Sequence, residues 1–293
     1  MRNSQALSSL PSVRDPGVMM HIAVPSRPRR MAGVSMAGFR DRAQDRDRAQ
    51  DLVDLRVVPY PAVTLVIDLG RGWLVDHAGG QQRSSLVAGL APGDVRARGR
   101  DLECLQVRLS PVVAHAVLDG CAELGGTVVS LDDIWGRNAA RTEERLRAAR
   151  SWDERFTITE AALARRYLTG RAADPEVAFT WRRMVASRGR VRVERLAAEI
   201  GWSRKRLWSR FRSEIGLTPK RAAQLVRFDH AAHRLASGHD AAVVAWESGY
   251  ADQSHLHRDV MTFAGVTPAA VAAAPWLAVD PVAWADPEYL SVA

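Results

Sequence analysis

Residues 240–268 read DAAVVAWESGYADQSHLHRDVMTFAGVTP, and residues 193–220 read VERLAAEIGWSRKRLWSRFRSEIGLTPK. The two stretches share one plan. A short apolar-patterned run ends at a glycine, Gly201 or Gly249, which tolerates the positive φ of a tight turn. A small polar residue follows, Ser203 in the first stretch and Asp252 or Ser254 in the second, suited to accept a backbone N–H at a helix start. The next run sets apolar residues four apart, Leu207 with Phe211 and Leu256 with Val260, on one helix face. Gly216 and Gly265 close these runs, and Thr218-Pro219 and Thr267-Pro268 open further helices. The predicted helices are Val193–Ile200 and Arg204–Ser213, then Ala241–Ser248 and a second run from about Gln253. A support helix, a tight turn and a capped second helix make a helix-turn-helix unit. Pro219–Ala236 lies between the units and spans roughly 27 Å if helical. A rod of that length can set two recognition helices near successive major grooves, about 34 Å apart.

The faces left outside these apolar stripes carry the chemistry. The first run presents Lys205, Trp208, Ser209 and Arg212; the second presents Gln253, Ser254, His257, Arg258 and Met261. Charge gathers in the same segment. Residues 181–275 hold 16 Lys and Arg against 8 Asp and Glu, residues 1–180 hold 25 against 22, and residues 276–293 hold none against 3. An excess confined to a third of the chain attracts polyanions. Lys205, Ser209, Arg212, Gln253, Ser254, His257 and Arg258 are the candidates for base edges, and Arg258 suits bidentate reading of guanine. Arg204, Arg206, Arg210, Lys220 and Arg221 are candidates for phosphates, which give affinity without sequence information. Trp208 has two readings, packing on the helix between the units or contact with a thymine methyl. His255 and His257 stand two apart, about 200° around a helix, and so cannot share one metal ion.

On these residues, about 185–272 resembles the DNA-binding domain of the AraC/XylS family of transcription regulators. The second unit carries Gly249-Tyr250, Asp252-Gln253-Ser254-His255-Leu256, Arg258, Gly265 and Thr267-Pro268. The first carries Leu196-Ala197, Gly201, Ser203, Leu207, Phe211, Gly216 and Pro219-Lys220. Two departures stand out: Ser209 where many members have arginine, with Arg210 beside it, and Val260 where phenylalanine is usual. The resemblance implies double-stranded DNA as the partner. It also admits RNA polymerase, a small-molecule effector and a second copy of the chain as further partners, with the preceding domain sensing an effector, dimerising, or both.

That preceding region reads as strands and then helices. Leu55–Val58, Ala62–Asp68, Asp94–Arg98 and Leu102–Leu109 are apolar or alternating, and turn signals at Pro59, Pro61, Gly70, Gly72, Gly79-Gly80 and Pro92-Gly93 separate them. Such spacing predicts a small sheet or barrel. Helical patterns follow at Val112–Leu118, Asn138–Arg150 and Asp153–Leu168. A helix capped by Asp174 and opened by Pro175 then runs to about Ser187. This order of elements, and the junction Leu105–Pro111, resembles the cupin-type sensor domains of some family members. The expected fold class is α+β, with an N-terminal β-sheet or barrel and following helices, then an all-α domain of two helix-turn-helix units. The expected divisions are 1–50, a poorly ordered extension; 51–170, a sensor or dimerisation domain; 171–190, a connecting helix; 191–275, the DNA-binding domain; and 276–293, a tail. The extension contains a short polar near-repeat at 41–44 and 47–50, and Met19, Met20, Met31 and Met36 leave a later natural start open. Trp73, Trp135 and Trp152 are read as core residues, with a ligand pocket as the alternative.

Other function classes fit poorly. No apolar run reaches the roughly 18–20 residues of a membrane helix, and the N-terminus has no secretory pattern. A cytoplasmic bacterial protein is expected. Cys104 and Cys121 are too few for a disulfide framework or a zinc site and read as reduced packing residues. Gly70-Arg71-Gly72 lacks the later glycine of a dinucleotide loop, and only His77 and His115 lie in the strand and helix region before residue 180. No cofactor, metal or catalytic residue is expected. The reading is a sequence-specific regulator and not an enzyme. Its rivals are an enzyme fused to this DNA-binding domain and an adaptor that binds DNA without sequence preference.

Overall fold

A computed structural model describes residues 12–284 apart from 16–17, 28–30, 42–52, 71–73, 78–79, 84, 92–94, 100–101, 121 and 274. Eleven strands are formed among the described residues: β1 Ser12–Asp15, β2 Val18–Ala23, β3 Val34–Asp41, β4 Val53–Val57, β5 Val63–Asp68, β6 Leu74–His77, β7 Gly80–Arg83, β8 Leu86–Ala88, β9 Val95–Gly99, β10 Glu103–Leu109 and β11 Val128–Ser130. The helices are α1 Pro111–Val117, α2 Leu131–Trp135, α3 Arg137–Ala148, α4 Trp152–Thr169, α5 Pro175–Ala186, α6 Val193–Glu199, α7 Arg204–Ile215, α8 Pro219–Ala236, α9 Ala241–Glu247, α10 Gln253–Ala264, α11 Pro268–Ala272 and α12 Pro275–Ala283. The fold is α+β, an antiparallel sheet region followed by helices and a helical C-terminal region.

The strands form a seven-stranded sheet in the order β1-β2-β3-β10-β5-β8-β11 and a four-stranded sheet in the order β4-β9-β6-β7. At the centre of the larger sheet, β5 buries all six of its residues. Val63, Leu65 and Ile67 join the core shared with the helices, while Val66 joins a second core with Val75, Val95 and Ala97 of the smaller sheet. Strand β9 alternates buried and half-buried side chains, as a strand with one apolar face should.

The extension expected to lack order supplies three strands of this sheet. Strand β3 pairs with β10 from Val34↔Leu109 to Arg40↔Glu103. Val34 and Met36 face the helices, and Ala37 and Phe39 face the second core. The polar surroundings hid this short apolar alternation, which pairs with β2 on one edge and on the other with a strand some 70 residues later. Residues 42–50, with most of the near-repeat, lie outside the described residues.

The helices cover the other face of the sheet. Every residue of α1 is buried, and α1 packs against β10, α4, α5 and α7. Helix α5, expected as a connector, is also core: Val177, Trp181 and Met184 are fully enclosed. One continuous cluster runs from Leu105 in the sheet through Val113, Leu163 and Trp181 to Leu196, Phe211 and Leu225. Trp135 and Trp152 belong to this side; the Trp152 ring lies so close to β3 that Gly38 leaves no room for a Cβ. Trp73 and Cys121 lie outside the described residues. Cys104 is buried between the sheets, where burial pushes its thiol pKa up and keeps it inert. No helix among the described residues is long and apolar enough to cross a membrane.

The stretch expected as a tail forms α12, which packs against β1, β2 and α8. Its Asp280 meets two cations. Arg108 of β10 donates to it at 2.9 and 3.4 Å, and His233 of α8 donates through Nε2 at 2.9 Å. The other ring nitrogen of His233 donates to the backbone carbonyl of Asp229 at 2.8 Å, so both nitrogens carry protons. Burial opposes the charged ring, but the bond to Asp280 and the charges of Asp229 and Asp280 outweigh it and raise its pKa to about 9. Burial pushes Asp229 up to about 6, and burial together with Arg188 pushes His230 down to about 4. These two therefore titrate outside the window of His233. Because the folded chain holds the His233 proton more tightly than the usual 6.5, its contribution to stability is complete below pH 6.5 and is lost as pH rises through about 9. Denaturant titrations of the native chain should show midpoints falling across this window, and His233→Gln should remove that part of the fall. An unchanged pH profile in the variant would show that His233 is not held charged.

Candidate nucleic-acid interface

Both units fold as short-range chemistry dictates. Gly201 and Gly249 turn the chain with φ of 68° and 77°, a region costly for a side chain with a Cβ. Ser203 caps α7 by accepting the Arg206 N–H at 3.2 Å. At α10 the cap is Asp252 rather than Ser254, accepting the His255 N–H at 2.6 Å. Leu207, Phe211, Leu256 and Val260 are fully buried, so the opposite faces of α7 and α10 point outward. Helix α8 spans Pro219–Ala236, as read from the sequence, with Thr218 as its cap.

The residues read as DNA contacts lie on these outward faces. Arg204, Lys205, Arg206, Trp208, Ser209 and Arg212 of α7, Lys220 at the start of α8, and Gln253, Ser254, His257 and Arg258 of α10 are all exposed. Trp208 is 46% exposed, and the Arg212 guanidinium lies 5.2 Å from its ring centroid. The ring is thus held on the outer face. Arg206 lies over the Trp202 ring at 4.3 Å, which orients a long side chain that would otherwise be free. Arg204 meets Glu194 only loosely, at 3.5 Å between two exposed groups. His255 is turned inward with its ring edge on Tyr250, centroids 5.2 Å apart, while His257 points out.

Two arginines read as phosphate candidates are engaged elsewhere. Arg210 bridges Glu214 at 2.8 Å and Asp174 at 3.2 Å, clamping α7 to the start of α5. Arg221 lies over the Phe263 ring at 3.8 Å, and burial lowers its pKa. Glu214 stands four residues after Arg210, a spacing readable in sequence, but Asp174 and Phe263 lie 36 and 42 positions from their arginines and leave no such signal. Also invisible in the sequence is the ion pair Arg227–Asp259 at 2.9 Å, which ties α8 to α10. The Arg227 guanidinium also lies 4.4 Å from the Tyr250 ring centroid. Through Arg227, α10 is anchored to the rod between the units.

A family profile described as a helix-turn-helix domain matches residues 196–274, from α6 through α11. This segment is an AraC-type helix-turn-helix domain. It is the DNA-binding end of the chain, and it contains both capped units. The comparison with curated proteins gave no match. Among solved structures, the chain is similar to ToxT from Vibrio cholerae O395, with 10% identity and a TM-score of 0.46, covering 82% of this chain and 97% of that one. It is also similar to unsaturated fatty acid bound wild-type ToxT from Vibrio cholerae strain SCE256, with 10% identity and a TM-score of 0.45, covering 76% of this chain and 94% of that one. Likeness at this level carries no inference about ligand or chemistry.

The engagement of Arg210 separates structure from DNA contact. Glu214 is buried, so Arg210→Ala leaves its carboxylate short of a partner and should cost about 1–3 kcal/mol of stability. The salt dependence of DNA binding should stay as in the native chain, measured on folded protein at low temperature. A reduced salt slope with unchanged stability would place Arg210 on a phosphate instead.

Proposed function

We propose that this protein is a sequence-specific transcription regulator whose two recognition helices, α7 and α10, enter successive major grooves of double-stranded DNA. The observation that carries the reading is the pairing of two capped helices, each with its apolar face fully buried and its polar face exposed, on one domain of net positive charge. Within it, Lys205, Ser209, Arg212, Gln253, Ser254, His257 and Arg258 read base edges, and Trp208 offers its exposed ring to a thymine methyl. Arg204, Arg206 and Lys220 hold phosphates. The N-terminal sheets sense an effector, dimerise or do both, and promoter-bound protein meets RNA polymerase. Such a protein works in the bacterial cytoplasm and is not an enzyme.

Selection of binding sites from random duplexes by the full chain tests this directly. Arg258→Ala should lose the preference at one position of the site, worth about 1–3 kcal/mol. Arg206→Ala should weaken binding to all duplexes alike and lower the slope of log affinity against log salt by about 1. A native chain that enriches no common site is a non-specific DNA-binding adaptor, and an Arg258→Ala variant that keeps every preference removes α10 from the base-reading surface.

A further inference from the structure

The space between the two sheets has an apolar lining with one polar wall. Ile22, Phe39, Val66, Val75, Val95 and Cys104 supply the lining. The wall is formed by Tyr60, Thr64, Gln106 and Arg108. Tyr60 Oη and Thr64 Oγ1 stand 2.6 Å apart, Gln106 Nε2 donates to Tyr60 Oη at 3.5 Å, and Arg108 is only 4% exposed. This is a packed core closed by Ala283 and Trp284; a few convergent polar groups among apolar walls are also the make-up of a small-molecule site.

The chain fills this site itself. Asp280 sets its carboxylate on the Arg108 guanidinium in the two-point geometry that suits a carboxylate. The Trp284 ring lies 4.3 Å from the same guanidinium carbon, which also lies 3.8 Å from the Tyr60 ring centroid. The Phe39 and Trp284 rings are 6.3 Å apart. Ala283 and Trp284 belong to the same buried cluster as the strands. A carboxylate and a flat aromatic ring, four residues apart on one segment, thus both bear on the buried Arg108 guanidinium of this wall.

We propose that residues 275–284 are a tethered occupant of the N-terminal cavity, standing in for a small planar aromatic carboxylate, and that exchange between the two sets the state of the DNA-binding domain. Two physical points shape the exchange. Arg108 is a buried cation, so the segment leaves readily only if another carboxylate takes over from Asp280. A neutral ring alone is not enough. Tethering also gives the segment an effective concentration of roughly millimolar order, which a free ligand must match. The route to DNA is one carboxylate long. Asp280 joins Arg108 of the sheet to His233 of α8, and α8 holds the second recognition helix through Arg227 and Asp259. Withdrawal of α12 breaks the first of these joints and leaves the second. The proposal rests on the effector-sensing reading of the N-terminal domain and names the chemistry of that effector.

Hydrogen exchange followed by mass spectrometry on the full chain tests it, with indole-3-propionate as probe and its amide as control. The acid should speed exchange of residues 275–284 by at least about tenfold while β5 and β10 keep their protection, and the amide should do neither. The variant Asp280→Asn with Trp284→Ala should free the segment without probe and bind the acid more tightly, because the internal competitor is gone. Where that pair fails to fold, Asp280→Asn with Trp284→Phe takes its place. Acid and amide acting alike, or a segment that stays protected with no gain in acid affinity in either variant, overturns the proposal. Site selection on the same preparations separates the two readings. A chain that selects a DNA site without this exchange loses the tether and keeps the regulator, and the reverse pattern keeps the tether and loses the regulator.

Discussion

A strand with one wet face alternates in polarity, and a strand buried on both faces must be covered twice. Strand β5 buries six consecutive side chains, and its neighbour β10 sends Leu105, Val107 and Leu109 to one side and Cys104 and Arg108 to the other. The rest of the architecture answers this demand. Helices α1, α4 and α5 cover one face, while the small sheet and the end of α12 cover the other. Because α1 and α5 also pack against α7, this helix is seated on the same apolar mass that closes the sheet. The DNA-binding domain is therefore not a bead on a linker. Residues 171–190, which in sequence look like a connector, place Trp181 at the junction of both halves.

Charge is sorted by the same geometry. Arginines with a buried or half-buried acid beside them do structural work: Arg155 with Glu103, Arg210 with Glu214, Arg227 with Asp259, Arg108 with Asp280. Separating such a pair strands a charge out of water, so these contacts hold elements in place wherever they occur. Arg204, Lys205, Arg206, Arg212, Lys220 and Arg258 lie instead on the exposed faces, where an ion pair is worth little. Composition alone merges the two groups into one basic segment. The fold divides them into a scaffold set and an exposed set.

The sequence by itself determined the two helix-turn-helix units almost to the residue, including Pro219–Ala236 and the buried Leu207, Phe211, Leu256 and Val260. These features are written in contacts three to five residues apart: a cap, a glycine turn, an apolar stripe. The outward set on α7 and α10 followed from the same periodicity, since a buried stripe fixes which side is left. The central strands and helices of the N-terminal region were legible for similar reasons. Tertiary structure decided that residues before 51 enter the sheet, because the local β1-β2-β3 pairing is joined to the rest of the sheet only through β10, a strand far along the chain. It decided that Arg210 and Arg221 turn inward and that Asp280 reaches Arg108 across 172 positions. Neither the spacing nor the chemistry of those residues marks Asp174, Phe263 or Arg108 as their distant partners. An isolated aspartate near the end of the chain reads as solvated until the fold closes a cation beside it, and that closure belongs to packing, not to local pattern.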